Sequence, residues 1–338
     1  MKIILKKEID KTVKKDWEYL EKKNSLIIFQ TLKWNENWLK FNKGKNSIFI
    51  FIVYKDNKPL SIFPFYLQKK FNFKILKWIG FDISDYLGPI FDRVVELNEK
   101  EISIIWNKIL YDLRLECDLI YLDKQIDNKN IINNPLISYF NFKTYKQNFR
   151  IELSKWELIK KNKNKSFQQF RRKKKNLSLL GKFKILINIH DIDLKKKLIS
   201  QMIEWKKISK KKYVFASSFN KNFYWNIVDN QNIHVSAITL NGKFIAAILG
   251  LKYLNNYFFL VPSFKDETKY FKFSPGRILL IELINELYKQ QINYFDFCDG
   301  DQNYKTQLAN NKIDLRFFLK SNSLKGLFLK FYIENFKL

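Results

Sequence analysis

The sequence predicts an α/β (α+β) protein in which a mixed, mainly antiparallel sheet flanked by helices occurs twice in tandem. The first observation is element order: strand, strand, strand, helix, strand runs through residues 47–122 and again through residues 233–298. The second is Asn241-Gly242 between two apolar alternating stretches, the strongest short-range hairpin signal. The third is length, since 338 residues suffice for two cores at about 150 residues per domain. The expected division is residues 1–150 and 151–338, with a basic helix over 166–180 inserted in the second domain. No residue-level identity links the halves, so duplication rests on element order.

In the first half, residues 8–23 are charged with Val13, Trp17 and Leu20 spaced for an amphipathic helix. Residues 30–41 place Leu32, Trp34, Trp38 and Leu39 on a second helical face, as core anchors or as a ligand-stacking surface. Residues 47–54, 60–68 and 73–79 are β-branched and aromatic strands, the first two joined by Lys55-Asp56-Asn57-Lys58-Pro59. Residues 80–91 form an irregular loop with Asp82, Ser84, Asp85, Tyr86, Gly88 and Pro89. A helix over 98–115 turns Ile102, Ile105, Trp106, Ile109, Leu110 and Leu113 inward, and a strand follows at 119–122.

Between the halves, residues 139–153 read as strand and linker. Ser166 with Gln169 has the form of a capping box, and Gly181 stands where a C-cap glycine belongs. Phe167, Phe170, Leu177 and Leu180 share one arc of that helix, with Arg171, Arg172 and Lys175 on the other side. The arginines either form a solvated face or present two forks to phosphate or carboxylate. Residues 195–209, with Leu198, Met202 and Trp205, form another helix, followed by a polar loop led by Lys210-Lys211-Lys212-Tyr213.

The second half is organised around residues 273–305. Ser274 suits an N-cap and Pro275 the first helical position, so a helix with Ile278, Leu279, Ile281, Leu283, Ile284 and Leu287 begins there. Its unpaired N–H groups and macrodipole, with Arg277 beside them, make an anion site. A strand over 294–298 puts Tyr294, Asp296 and Cys298 on one face and Phe295 and Phe297 on the other. Gly300 permits a sharp turn, Asp301 suits the next N-cap, and Tyr304 and Lys305 fall in the following first turn. Residues 314–320 read as a closing strand, and residues 324–336 as a basic, aromatic helix that docks on the fold or lies on a membrane surface.

The run Ser-Pro-Gly-Arg, apolar helix, Tyr-Phe-Asp-Phe-Cys-Asp-Gly-Asp and Tyr-Lys resembles the C-terminal signature of the CelD/BcsL branch of the GNAT acetyltransferases, distantly similar to the FemABX aminoacyl transferases. The loop with Asp85 and Tyr86 resembles that family's "sDyl" loop, and the arginine-rich helix has a counterpart there. The resemblance implies two tandem GNAT-like domains and a donor thioester lying between the splayed strands at 257–261 and 294–298. It implies donor phosphates at Ser274, Gly276 and Arg277. Asp296 stands nearest the reacting centre, with Tyr304 as proton donor and Lys305 as an anion partner. Arg171, Arg172, Asp85, Tyr86 and Trp205 are the candidates for substrate binding. The usual GNAT phosphate loop is matched only by Gly276 and Arg277, so acetyl-CoA or another acyl-CoA is an expectation from the family.

Composition bounds the alternatives. The formal charge of +29 comes mostly from lysine, in a chain that is 46% apolar and 17% aromatic. Drift in an Asn-, Ile- and Lys-rich sequence accounts for such a charge, as do anionic partners: donor phosphates, tRNA or an acidic membrane. Cys117 and Cys298 are far apart, which argues against a disulfide framework or a zinc site and for a reducing cytoplasm. Residues 1–15 lack the apolar core of a signal peptide and no apolar run nears ~20 residues, so the expectation is a cytoplasmic protein, soluble or peripheral at the inner membrane face. There is no G-x-S-x-G, Walker A or H-E-x-x-H pattern, and His190 and His234 read as structural. Nothing points to a metal or a stable protein partner. The leading expectation is an acyltransferase moving an acyl group from acyl-CoA to an amine or hydroxyl of a sugar, polysaccharide or cell-envelope precursor. The rivals are a FemABX-like aminoacyl-tRNA-dependent transferase and a non-catalytic binding module of the same fold.

Overall fold

The structure, a computed structural model, describes residues 1–24, 26–42, 47–128, 131–208, 218–265, 268–300 and 302–336. The expected N-cap Asp301 and the loop at 210–213 lie outside the described residues. The chain divides into two compact units, Met1–Gln147 with Ile313–Leu338, and Asn148–Lys312.

The first unit begins with β1 (Lys2–Lys6), α1 (Lys11–Lys23) and α2 (Leu32–Phe41). Asp10 caps α1 by accepting the Val13 N–H at 2.8 Å. There follow β2 (Ser47–Lys55), β3 (Lys58–Lys70), β4 (Phe73–Trp78), β5 (Ile90–Phe91), α3 (Glu99–Leu113), β6 (Leu119–Ile126) and α4 (Leu136–Tyr139). Strand alternation sorts β2 and β3 between two cores. Ile50, Ile52 and Ile62 pack with Val13, Trp17 and Leu20 of α1, whereas Phe49, Phe51, Val53, Phe63 and Phe65 pack with Ile102, Ile105, Trp106 and Ile109 of α3. Trp17, Trp34 and Trp38 are buried, which makes them core anchors. Asn98 and Glu101 form a capping box at the start of α3.

The second unit takes in the end of β7 (Lys143–Glu152), then α5 (Trp156–Asn162), α6 (Asn164–Ser178), β8 (Phe183–Leu186), α7 (Ile192–Ile208) and α8 (Ser218–Asn226). It continues through β9 (Ile233–Leu240), β10 (Lys243–Tyr253), β11 (Asn256–Phe264), α9 (Thr268–Phe271), α10 (Pro275–Lys289), β12 (Tyr294–Asp296) and α11 (Asn303–Leu308). The chain then returns to the first unit with β13 (Asn311–Ser321) and α12 (Leu324–Phe336).

The sheet order is β1-β2-β3-β4-β6-β13 in the first unit and β8-β9-β10-β11-β12-β7 in the second. Each is an antiparallel meander, a helical crossover (α3 or α10), one parallel strand and one antiparallel strand beyond it. The duplication expected from element order is thus present in topology.

Three expectations change. Residues 313–338, expected in the second domain, belong with the first, because β13 completes the ladder of β6 from Leu315↔Ile126 to Ser321↔Leu119. Helix α6 starts at Asn164, so Ser166 lies inside its first turn and makes no capping box. Leu180, placed on the buried arc of that helix, lies beyond its end and is exposed. Among the described residues, no helix is long and apolar enough to cross a membrane.

Helix α12 can approach β6 because Gly326 has no side chain. A Cβ there would lie 1.8 Å from the Asp118 carbonyl oxygen. Gly326→Ala is therefore expected to cost about 1–3 kcal/mol, read as a lower urea midpoint than wild type.

Candidate active site

The central feature is a ladder that stops early. Strands β11 and β12 pair in parallel at Asn256↔Tyr294, Tyr257↔Phe295 and Phe258↔Asp296. There β12 ends, while β11 runs on to Phe264. At that point β11 also bulges: Leu249 opposes Val261 and Gly250 opposes Phe259, which leaves Leu260 unopposed. Gly250 is required at the bulge, because a Cβ would sit 2.3 Å from the Tyr257 hydroxyl. Pro262, which has no N–H to offer, lies in the stretch that has outrun β12.

The first unit contains the same geometry in closed form. Strands β4 and β6 pair only at Ile75↔Leu119 and Leu76↔Ile120, and loop 80–88 is stitched to β6 beyond them. The Leu87 N–H donates to the Lys124 carbonyl at 2.9 Å, and the Lys124 ammonium donates to the Phe81 and Ser84 carbonyls at 2.7 Å each. Asp85 and Tyr86 belong to this loop. Tyr86 is buried against Phe29, so its ring serves packing in the first unit.

In the second unit the space is open. A cavity of about 340 Å³ is lined by Phe259, Pro262, Phe264, Lys265 and Phe271, by Ser274 to Arg277 and Leu280 of α10, and by Tyr304 of α11. Its walls are mainly apolar. Ser274 precedes α10 in the left-handed region (φ 56°) and its side chain makes no cap bond, contrary to expectation. Its hydroxyl instead accepts from the Lys173 ammonium at 3.2 Å. The N–H groups of Arg277 and Ile278 bond back to the Ser274 carbonyl and Pro275 has none, so Gly276 supplies the amide of this turn that enters no backbone bond among the described residues. The anion site is narrower than expected, one amide joined by cations. Gly276 itself is roomy, since a Cβ there would meet the Phe264 ring at 3.5 Å.

A second cavity, of about 450 Å³, lies at the junction of α5 and α6. It is lined by residues 161–167 with Phe170, by Arg277 and Ile281 of α10, and by Gln307 and Leu308 of α11. Lys161, Lys163, Lys165 and Arg277 make it strongly basic, and Arg277 borders both cavities. Helix α6 is held there by buried Phe167 and Leu177 and by the Lys174–Glu282 ion pair at 2.8 Å. Arg171 and Arg172 are exposed on the same helix.

Tyr304 is the candidate acid that reaches a cavity. Burial pushes its phenol up to about 12, so it carries its proton at neutral pH. Asp296 ends β12 and Lys305 lies in α11, on either side of the turn that joins them. One Asp296 carboxylate oxygen accepts the Cys298 N–H at 2.7 Å. The Lys305 ammonium, buried rather than solvent-facing, donates to the Phe297 carbonyl at 2.8 Å and to that of Asp299. Gly300 has φ 109°, as the sharp turn demands. Trp205 is buried in α7, its indole N–H without a partner among the described residues, and neither cavity includes it among its lining residues. Lys161, Lys163, Lys165 and Lys173 escaped sequence reasoning. Their charge run was visible, but only packing of α6 against α10 turns it toward a cavity. Pro262 was a usable signal, because a proline inside a strand marks an edge without a ladder partner.

The family model for the acetyltransferase (GNAT) domain matches residues 164–306. The matched stretch lies within the second unit. Over the whole chain the fold is similar to FemX (TM-score 0.61, 11% identity, 93% of this chain and 97% of that one). It is also similar to a conserved protein of unknown function from Bacteroides thetaiotaomicron (TM-score 0.60, 12% identity, 94% and 99%). A tandem GNAT protein from the clavulanic acid biosynthesis pathway superposes at TM-score 0.53 with 5% identity, covering 95% and 99%. No curated protein matches the sequence. The fold is thus the tandem GNAT-like one, and the open gap lies within the matched domain.

His234 is buried in β9 and lines neither cavity. Desolvation, with Lys252 and Lys195 nearby, holds His234 neutral down to about pH 3, against about 6.5 for a solvated histidine. Between those values the unfolded chain binds the extra proton, so stability falls as pH drops from about 6.5 toward 3. Urea midpoints for wild type and His234→Gln across pH 4.5 to 7 should show the shallower acid-side decline in the variant.

Proposed function

We propose that this protein is an acyltransferase of the CelD/BcsL-like GNAT type, taking an acetyl or related acyl group from acyl-CoA. The acceptor on this reading is an amine or hydroxyl of a sugar, polysaccharide or cell-envelope precursor, met in the cytoplasm or at the inner membrane face. The observation that carries the reading is the parting of β11 and β12 with an open cavity at the gap. Backbone groups of a strand that has lost its neighbour need partners, and an extended thioester arm can supply them. The apolar wall of Phe259, Pro262, Phe264, Phe271 and Leu280 suits such an arm. The basic cavity beyond Arg277 suits phosphates.

In the reaction, the acceptor's lone pair attacks the thioester carbonyl carbon, the C–S bond breaks, the departing sulfur takes a proton from a nearby acid, and the proton lost by the acceptor nitrogen or oxygen returns to that acid's conjugate base. Tyr304 has the place and the protonation state to give that proton. Arg277 holds the donor's anionic end from the first turn of α10. Asp296 and Lys305 act as positioning residues. They tie the end of β12 to the turn that launches α11 and so place Tyr304. Holding both substrates at this gap supplies the proximity on which such transfers depend.

The basic cavity favours one second reading, a donor carried on tRNA, with Arg171 and Arg172 on α6, the helix that also carries Lys165 of the cavity wall. That reading predicts tRNA binding that weakens steeply with salt. Arg171→Ala with Arg172→Ala should then lower both affinity and salt slope, and an unchanged slope rules it out.

For the CoA reading, calorimetric titration of the folded protein with acetyl-CoA should show one binding event per chain. Arg277→Ala should weaken it by about tenfold, the scale of one charge-assisted hydrogen bond. Absence of binding to the wild-type protein would remove CoA as donor. Tyr304→Phe should lower kcat by roughly 10²-fold with little change in donor KM, as loss of a proton donor requires.

A further inference from the structure

Helix α12 shows two faces of opposite use. Ile333, with Leu329 beside it, packs on Ile75, Leu119, Tyr121 and Leu319 of the first unit's sheet. The other face is also apolar and points to solvent. Leu324, Leu327, Phe328, Phe331, Tyr332 and Phe336 are between 49% and 78% exposed, at the i, i+3, i+4, i+7, i+8 spacing of a single stripe. Such a face normally lies against something.

Two further exposed apolar side chains stand at the same end of this unit. Phe71, in the turn between β3 and β4, is 88% exposed, and Leu115, in the loop before β6, is 84% exposed. Asp118 ties their segments to the start of α12. Its carboxylate accepts the Lys74 N–H at 2.9 Å and the Ser323 hydroxyl at 2.7 Å, and its carbonyl accepts the Asn322 N–H at 2.8 Å. The cations around them are in excess. Glu116 is paired with Lys7 and Glu334 with Lys143, while Lys69, Lys70, Lys325 and Lys330 enter no ion pair among the described residues.

We propose that the outer face of α12, with Phe71 and Leu115 at its N-terminal end, is a binding surface for an anionic lipid bilayer. Aromatic and leucine side chains flanked by lysines on an in-plane helix are the combination that enters the headgroup boundary and is drawn there by acidic lipids. The formal charge of +29 complements such a surface and opposes self-association, which disfavours a second copy as the occupant. The inference is independent of the transferase reading, because it rests on the other unit. It would place the protein beside lipid-borne or membrane-proximal acceptors.

The test is flotation of the full chain with phosphatidylcholine vesicles, with and without phosphatidylglycerol. The wild-type protein should float with the anionic vesicles, less with the neutral ones, and less as salt is raised. Phe328→Asp with Phe331→Asp should lower binding by at least ~10-fold, and circular dichroism melting should be unchanged because both rings are exposed. Failure of the wild type to float with anionic vesicles overturns the proposal, as does equal flotation of the double variant. Sedimentation as a dimer that the double variant breaks, without flotation, also overturns it and assigns the face to a second copy.

Discussion

The structure depends on a parallel ladder that ends after three residue pairs. A central strand normally satisfies its backbone on both sides, and leaving one side bare is costly unless something else bonds to it. Here β12 stops at Asp296 while β11 continues to Phe264, and the bulge at Leu260 bends β11 at that point. Three helices of the second unit are arranged around the resulting gap. Helix α10 begins beside it, α11 brings Tyr304 to it, and α6 reaches its Ser274 through Lys173.

This gap, rather than its duplicate, is the candidate site because the first unit has closed its own. Both sheets have the same order and both parallel ladders are short. In the first unit the protein fills the opening with its own loop 80–88, fastened by Leu87 and Lys124. A backbone that has found intramolecular partners no longer offers groups to a substrate. Duplication thus produced one open and one closed version of a single topology.

Charge and burial divide the labour within the second unit. The cavity under β11 is mostly apolar, the one at the α5–α6 junction is basic, and Arg277 stands at both. The polar residues flanking the β12–α11 turn bond to the turn itself: the Asp296 carboxylate to the Cys298 N–H and the Lys305 ammonium to two carbonyls. Their burial fixes the turn and with it the place of Tyr304 in the first turn of α11.

Much of the fold was legible because its signals are local. Alternation marked β2, β3, β4, β9 and β10, the Asn241-Gly242 turn marked a hairpin, and Pro275 marked the first turn of α10. The short edge strands β1 and β8 escaped, since four or five residues carry too little periodicity. So did the return of β13 to the first sheet, which depends on an open edge at β6 that no local pattern encodes. For the site, the sequence by itself determined which residues could serve: Arg277, Gly276 and Tyr304 stand near one another in the chain, within reach of one strand and one helix. Tertiary structure decided what they meet. It turned Ser274 toward Lys173, brought Lys161, Lys163 and Lys165 to Arg277, withdrew Lys305 into the turn and buried Tyr86 in the other unit. Those outcomes come from packing between elements far apart in sequence, where the energy of a contact belongs to neither partner alone.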